Sequence, residues 1–96
     1  MQILNLTIHN TTELESLSGL YDCSQKDIII ESNMFEEMPD NEELHVRAYM
    51  LLYIAETESS NVKTVLIGGS AYFIPIVKSI FETNGFKVIY KLSELD

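Results

Sequence analysis

The chain has 96 residues, 46% of them apolar and 22% charged, with six basic against fifteen acidic residues and a net charge of −9. That is one small domain with the composition of a packed chain, and it lacks the basic face that duplex DNA or RNA binding requires. The longest apolar run, residues 48–55, has 8 residues, against roughly 18 for a membrane span, so no membrane insertion is expected.

The opening Met1-Gln2-Ile3-Leu4-Asn5 has no basic segment followed by a long apolar one, which predicts no signal peptide. Lone Cys23 fits a reducing, cytoplasmic setting. Charge is uneven: residues 31–60 carry −7 and residues 61–96 carry +1. The acidic middle reads as a solvated surface, with a basic protein partner as the alternative.

Residues 2–8 alternate in part through Ile3, Leu4, Leu6 and Ile8 and read as the first strand. Asn10-Thr11-Thr12 offers N-caps for a short helix carrying Leu14 and Leu17. Glu13 and Glu15 sit in its first turn, where the helix dipole favours acids, and Gly19 ends it. Residues 27–31, with Ile28-Ile29-Ile30, read as a second strand, and residues 32–38 as an irregular connection.

Asp40 with Glu43 three residues on has the spacing of a capping box and opens the clearest helix, to about residue 58. Its core face is Leu44, Ala48, Leu51, Leu52 and Ala55. The opposite line, Glu43, Arg47, Met50 and Ile54, begins charged and turns apolar, with Tyr49 and Tyr53 beside it. A helix apolar nearly all round is covered on two sides. In so small a domain the second cover is expected to be another copy, giving a homodimer through residues 40–58, with a scatter of exposed apolar residues as the alternative.

Residues 62–67 form the third strand, expected to stop at Gly68-Gly69. Pro75 lacks an N–H and belongs in the first turn of the next helix, which leaves residues 68–72 as a loop with free amides. That helix runs through Phe73, Ile74, Val77, Ile80 and Phe81, closes at Asn84-Gly85, and is followed by a last strand over residues 86–92.

The alternation predicts an α/β chain: a small Rossmann-like three-layer fold with a four-stranded, mainly parallel sheet in the order 2-1-3-4, flanked by three helices, as a single domain over residues 1–96. Ligands of such sheets sit where the strand order reverses, beyond the carboxyl ends of the strands. Two segments meet there, Thr7-Ile8-His9-Asn10 and Gly68-Gly69-Ser70-Ala71-Tyr72.

Gly68-Gly69 lets backbone approach a ligand and Ser70 adds a hydroxyl. No Gly-Lys-Ser/Thr follows and the spacing is not GxGxxG, so this is neither a P-loop nor a dinucleotide fingerprint. The same residues also fit a tight turn with no ligand. His9 has the chemistry of an acid or base near neutral pH, or of a donor to phosphate, although a lone histidine is more often structural.

Asn5, polar within a central strand, fits either the site or a bond to a neighbouring loop. Tyr72 suits stacking on a base or capping an apolar edge, and His45 on the acidic helix is expected to be exposed. No histidine pair has metal-ligand spacing with a carboxylate, so no metal and no other cofactor is expected. Ser70 and His9 have no third member and no nucleophile elbow, which argues against a serine hydrolase.

Ile3-Leu4-Asn5-Leu6-Thr7-Ile8-His9 resembles the N-L-T-x-H start of short proteins found on mobile elements and near CRISPR loci. The agreement continues in Phe35-Glu36-Glu37-Met38-Pro39, Arg47-Ala48, Ile67-Gly68-Gly69-Ser70-Ala71-Tyr72-Phe73-Ile74-Pro75 and Val88-Ile89-Tyr90-Lys91-Leu92-Ser93. These proteins are similar to single-domain members of the CARF-like group, Rossmann-type sensors of cyclic oligoadenylate. Some are ring nucleases that cleave the ring without metal.

The resemblance implies a homodimer with the nucleotide across its two-fold axis, held by Thr7, His9, Asn10, Gly68, Gly69, Ser70 and Tyr72. Cleavage, where it occurs, would be attack of a 2′-hydroxyl on the adjacent phosphate, with His9 and Ser70 as the catalytic pair. Related chains place a basic residue shortly after the terminal serine, whereas here Ser93 is followed by Glu94, Leu95 and Asp96. Lys91 is then the nearby cation. The alternative function is a small acidic protein-interaction module of a mobile element, without catalysis.

Overall fold

Among the described residues four strands and four helices follow one another as β1 (Ile3–Asn5), α1 (Glu13–Leu17), β2 (Leu20–Asp22), α2 (Lys26–Asn33), α3 (Asn41–Glu58), β3 (Thr64–Gly69), α4 (Ile74–Thr83) and β4 (Lys87–Leu92). The computed structural model describes residues 2–33, 39–58 and 61–92, and for residues 32, 33, 91 and 92 the backbone alone. Of the connection expected over residues 32–38, the first two residues belong to α2 and residues 34–38 lie outside the described residues, as does the tail from Ser93.

The sheet is parallel throughout, in the order β2-β1-β3-β4. Right-handed crossovers in that order send α1 to one face and α2, α3 and α4 to the other. Consistent with this, α3 packs against both α4 and α2. Their apolar faces meet β1 and β3 in one core of Leu4, Leu6, Val65, Ile67, Ala48, Leu51, Val77 and Phe81. Phe81 lies edge-on to Phe86, with ring centroids 5.2 Å apart.

Alternation along β3 separates the two faces: Val65 and Ile67 are buried, whereas Thr64 and Leu66 are half-buried. Among the described residues the opposite face carries the five-residue α1, none of whose residues is buried.

Local chemistry explains most element ends. Thr12 caps α1, accepting from Glu15 N–H while the Glu15 carboxylate accepts from Thr12 N–H, a complete capping box. At α3 the Asp40 carboxylate accepts from Glu43 N–H at 2.8 Å. Glu43 instead pairs with Arg47 at 3.0 Å, and Arg47 also donates to the Glu31 carbonyl, joining α3 to α2. Gly85, at φ +87°, carries the chain from α4 into β4.

Three expectations are corrected. The run Ile28-Ile29-Ile30 lies in helix α2, not in a strand, and the helices number four rather than three. Gly19, at φ +99°, turns the chain at once from α1 into Leu20–Asp22. That segment fills the edge position beside β1, with Ile3 opposite Leu20 and Asn5 opposite Asp22. A helix then buries Ile29 fully and leaves Ile28 on the surface; the β preference of a branched run yields to its context.

Secondly, β3 does not stop at the glycines. Gly68 and Gly69 pair with Lys91 and Leu92 of β4, and Gly69 has φ +127°. Ile54, thirdly, is buried at 1% exposure rather than on the outer line of its helix.

Candidate functional site

β1 and β3 are neighbours whose chains leave in opposite directions, β1 toward α1 and β3 toward α4. The crevice between their exits is the topological switch point. Asn5 opposes Leu66 there, and Leu6 N–H donates to the Leu66 carbonyl at 2.9 Å.

The loop after β1 is built around Asn5, the last residue of that strand and only 2% exposed. Its Oδ1 accepts from Thr7 N–H at 2.9 Å and from the Thr7 hydroxyl at 2.6 Å. Its Nδ2 donates to the His9 carbonyl at 2.8 Å and to Asp22 Oδ1 at 2.9 Å, with Thr11 Oγ1 at 3.2 Å. An N–H can only donate and a carbonyl only accept, so this surrounding fixes which end of the amide is which.

Asp22, at the end of β2, also accepts from the Thr11 amide at 2.9 Å and the Thr11 hydroxyl at 2.7 Å. Burial pushes the Asp22 carboxyl up. The Thr11 hydroxyl and amide, the Asn5 amide and the Lys26 charge together outweigh it and hold the group below the usual aspartate value. Lys26, in the first turn of α2, donates to the carbonyls of Thr7 and His9 at 2.7 Å each, and lies 4.0 Å from Asp22.

The second wall is the turn after β3. The Ser70 carbonyl accepts from Phe73 N–H at 3.0 Å and Ile74 N–H at 3.1 Å. The Phe73 carbonyl accepts from Ile76 and Val77, and Pro75 has no N–H. Of residues 68–72, expected as a loop with free amides, Gly68 and Gly69 instead lie in the pairing with β4, and the amides of Phe73 and Ile74 just beyond are used within the turn. Among the described residues Ala71 N–H keeps no partner. The Ser70 hydroxyl oxygen is buried with no hydrogen-bond partner there either.

The expected site residues are placed as follows. Thr7 is buried, with its hydroxyl inside the loop's own network. His9 and Asn10 are exposed at the loop surface. Gly68 and Gly69 are half-buried in the last positions of β3, and Tyr72 is exposed at the turn. Lys91 pairs with Gly68 through the backbone, and its side chain lies outside the described residues.

Sequence reasoning singled out Asn5 but missed Asp22, Thr11 and Lys26. A polar residue ending a central strand was the one available signal that an acceptor–donor cluster surrounds it. Among the described residues no three His, Cys, Asp or Glu side chains group as metal ligands. No helix there is long and apolar enough to cross a membrane.

A separate apolar groove of about 480 Å³ lies between α2 and α3, lined by Gln25, Ile28, Val46, Tyr49, Met50, Tyr53 and Ile54. Val46, Tyr49, Met50 and Tyr53 are all exposed there. At the end of α3, Ser24 N–H and hydroxyl donate to the Glu58 carboxylate at 2.9 and 2.8 Å. The Ser24 amide is the main reason that Glu58 titrates below the usual glutamate value. Burial pushes the neighbouring Cys23 thiol up, which makes it a poor nucleophile.

No family model, no curated protein and no solved structure matches this chain.

Proposed function

We propose that the protein binds a phosphodiester-bearing nucleotide of the cyclic oligoadenylate type at the crevice between the exits of β1 and β3. The observation that carries this reading is the buried Ser70 hydroxyl with no partner among the described residues. A buried hydroxyl left unpaired costs about 1–3 kcal/mol, so such groups call for a partner. A phosphate oxygen supplies one, and Ala71 N–H adds a second donor. Recognition by neutral donors also suits a chain of net charge −9, which has few cations to offer.

The reading stops at binding. The exposed His9 imidazole has no described group holding it in one orientation, as a general base needs.

Homodimerisation through α3 belongs to the same proposal. Val46, Tyr49, Met50 and Tyr53 fall at i, i+3, i+4 and i+7, the spacing of one helical seam. Taking about 150–250 Å² for each tyrosine, the seam exposes on the order of 400 Å² of apolar surface, a size that marks interaction sites. A second copy covers it with the same uncharged stripe. The acidic interaction module stands as the alternative, because the same groove would accept a foreign helix.

Thermal denaturation with and without a series of cyclic oligoadenylates tests the proposal. Ligand at a hundred times its Kd adds about 2.7 kcal/mol, which raises Tm by roughly 10 °C or more in a domain this small. No shift with any nucleotide would remove the nucleotide reading.

A further inference from the structure

We infer that Lys26 is a positioning residue that turns the β1 loop into a backbone anion site, with the amides of Ile8 and Asn10 as its donors. This rests on the proposed crevice and names how its first wall would hold a phosphate.

Thr7 O and His9 O both accept from the same Lys26 ammonium at 2.7 Å. His9 O also accepts from Asn5 Nδ2 at 2.8 Å. Among the described residues no peptide bond is cis, and in a trans peptide the N–H points opposite to the C=O. The N–H groups of Ile8 and Asn10 share peptide planes with those two carbonyls. Both therefore point away from Lys26, out of the loop. Neither has a partner among the described residues.

Electrostatics strengthens the arrangement. A positive charge sits where the carbonyl ends of two peptide dipoles converge, so the outward N–H ends are made more positive than in an ordinary loop. The ammonium itself stays behind the backbone, with 18% of its side chain exposed. Its charge reaches an anion through the peptide groups rather than by contact. Asp22, at 4.0 Å, offsets part of that charge. It also holds Thr11, so the loop keeps its shape before a ligand arrives. Alternating residues of one short bend thus present two outward donors, spread apart because their carbonyls converge on one ammonium, a spacing suited to the two phosphoryl groups of a diphosphate, and the bonded carbonyls hold the peptides in place.

Amide-resolved NMR titration with pyrophosphate, and separately with adenylyl-adenosine, tests this. In the unaltered protein the Ile8 and Asn10 amide resonances are expected to move downfield and saturate with pyrophosphate. Lys26→Met should weaken pyrophosphate at least fivefold and abolish those two shifts, with its other amides still dispersed as in a folded domain. Lys26→Arg keeps a charge able to bridge two carbonyls, and should recover most of the loss.

Unmoved Ile8 and Asn10 resonances in the unaltered protein would overturn the inference whatever the variants do. So would unchanged shifts in Lys26→Met. The two proposals fail separately. If pyrophosphate moves Ile8 and Asn10 but no nucleotide binds, the anion site stands without the nucleotide reading. Nucleotide binding that moves only the Ser70–Ala71 turn leaves the reverse.

Discussion

Replacing Asn5 by Asp probes the network that shapes the β1 loop, and does so with a change of almost no volume. The Oδ1 side is unaffected, because Thr7 N–H and hydroxyl still find an acceptor. The Nδ2 side is inverted. A carboxylate oxygen now faces the His9 carbonyl at 2.8 Å and Asp22 Oδ1 at 2.9 Å, where a donor stood. Two donated bonds are lost, one of them to a charged group, for about 2–4 kcal/mol together.

Repulsion between two carboxylates adds to that loss, reduced by water because 39% of the Asp22 side chain is exposed. The expected cost at neutral pH is about 3–5 kcal/mol, against a total stability of roughly 5–14 kcal/mol for a chain this long. Acid should repair the lesion. Two carboxyls this close share a proton at a raised pKa, and a protonated residue 5 donates again.

Urea unfolding of both proteins at pH 7.5 and pH 4.5, followed by circular dichroism, reads the difference. The gap should narrow by half or more on acidification. Asn5→Leu should cost a similar amount with no recovery. A gap below about 1 kcal/mol at neutral pH, or one indifferent to pH, would refute the network as the loop's organiser.

Asp22 itself titrates below its ordinary value of 3.8, so its contribution to stability is complete above that value and is lost as the pH falls through the lower folded value. Asp22→Asn should therefore flatten the acid limb of the stability profile below pH 3.8, measured by thermal melts. Phe81→Ala removes a fully buried ring that meets Phe86 edge-on; denaturant unfolding should show a loss of about 3–5 kcal/mol. Tyr53→Glu places a charge in the exposed seam of α3, and sedimentation should show a monomer of unchanged Tm for the monomeric unit if that seam joins two copies. A variant still dimeric would place the interface elsewhere, and a monomeric unaltered protein would remove the dimer.

Elements whose ends carry their own chemistry were legible without coordinates. Thr12, Asp40 and Asn84-Gly85 each marked a helix end where the structure has one. The core face of α3 follows from periodicity alone, because a long helix averages over single exceptions such as Ile54. The strand order 2-1-3-4 also held, although its second member was sought in the wrong segment. Leu20–Asp22 is three residues long, too short for an alternation to show, while three adjacent isoleucines imitate a buried strand.

The site was legible as a place rather than as a set of donors. Topology directs attention to the exits of β1 and β3. Which amides are spent there depends on Ser70 and Phe73 carbonyls folding back, and that is a matter of turn geometry. Lys26 was beyond reach for a different reason: it acts on His9 from 17 residues away, through a helix that the sequence read as a strand.

Calorimetric titration of cyclic oligoadenylates into the unaltered protein and into Ser70→Ala measures the central claim most directly. Removing an unpaired buried hydroxyl should leave the ligand-free Tm equal or higher, yet weaken the nucleotide about fivefold or more by taking away its partner. One ring should bind per two chains. Absence of binding, or equal affinity in the two proteins, would contradict a phosphate-binding role for the crevice.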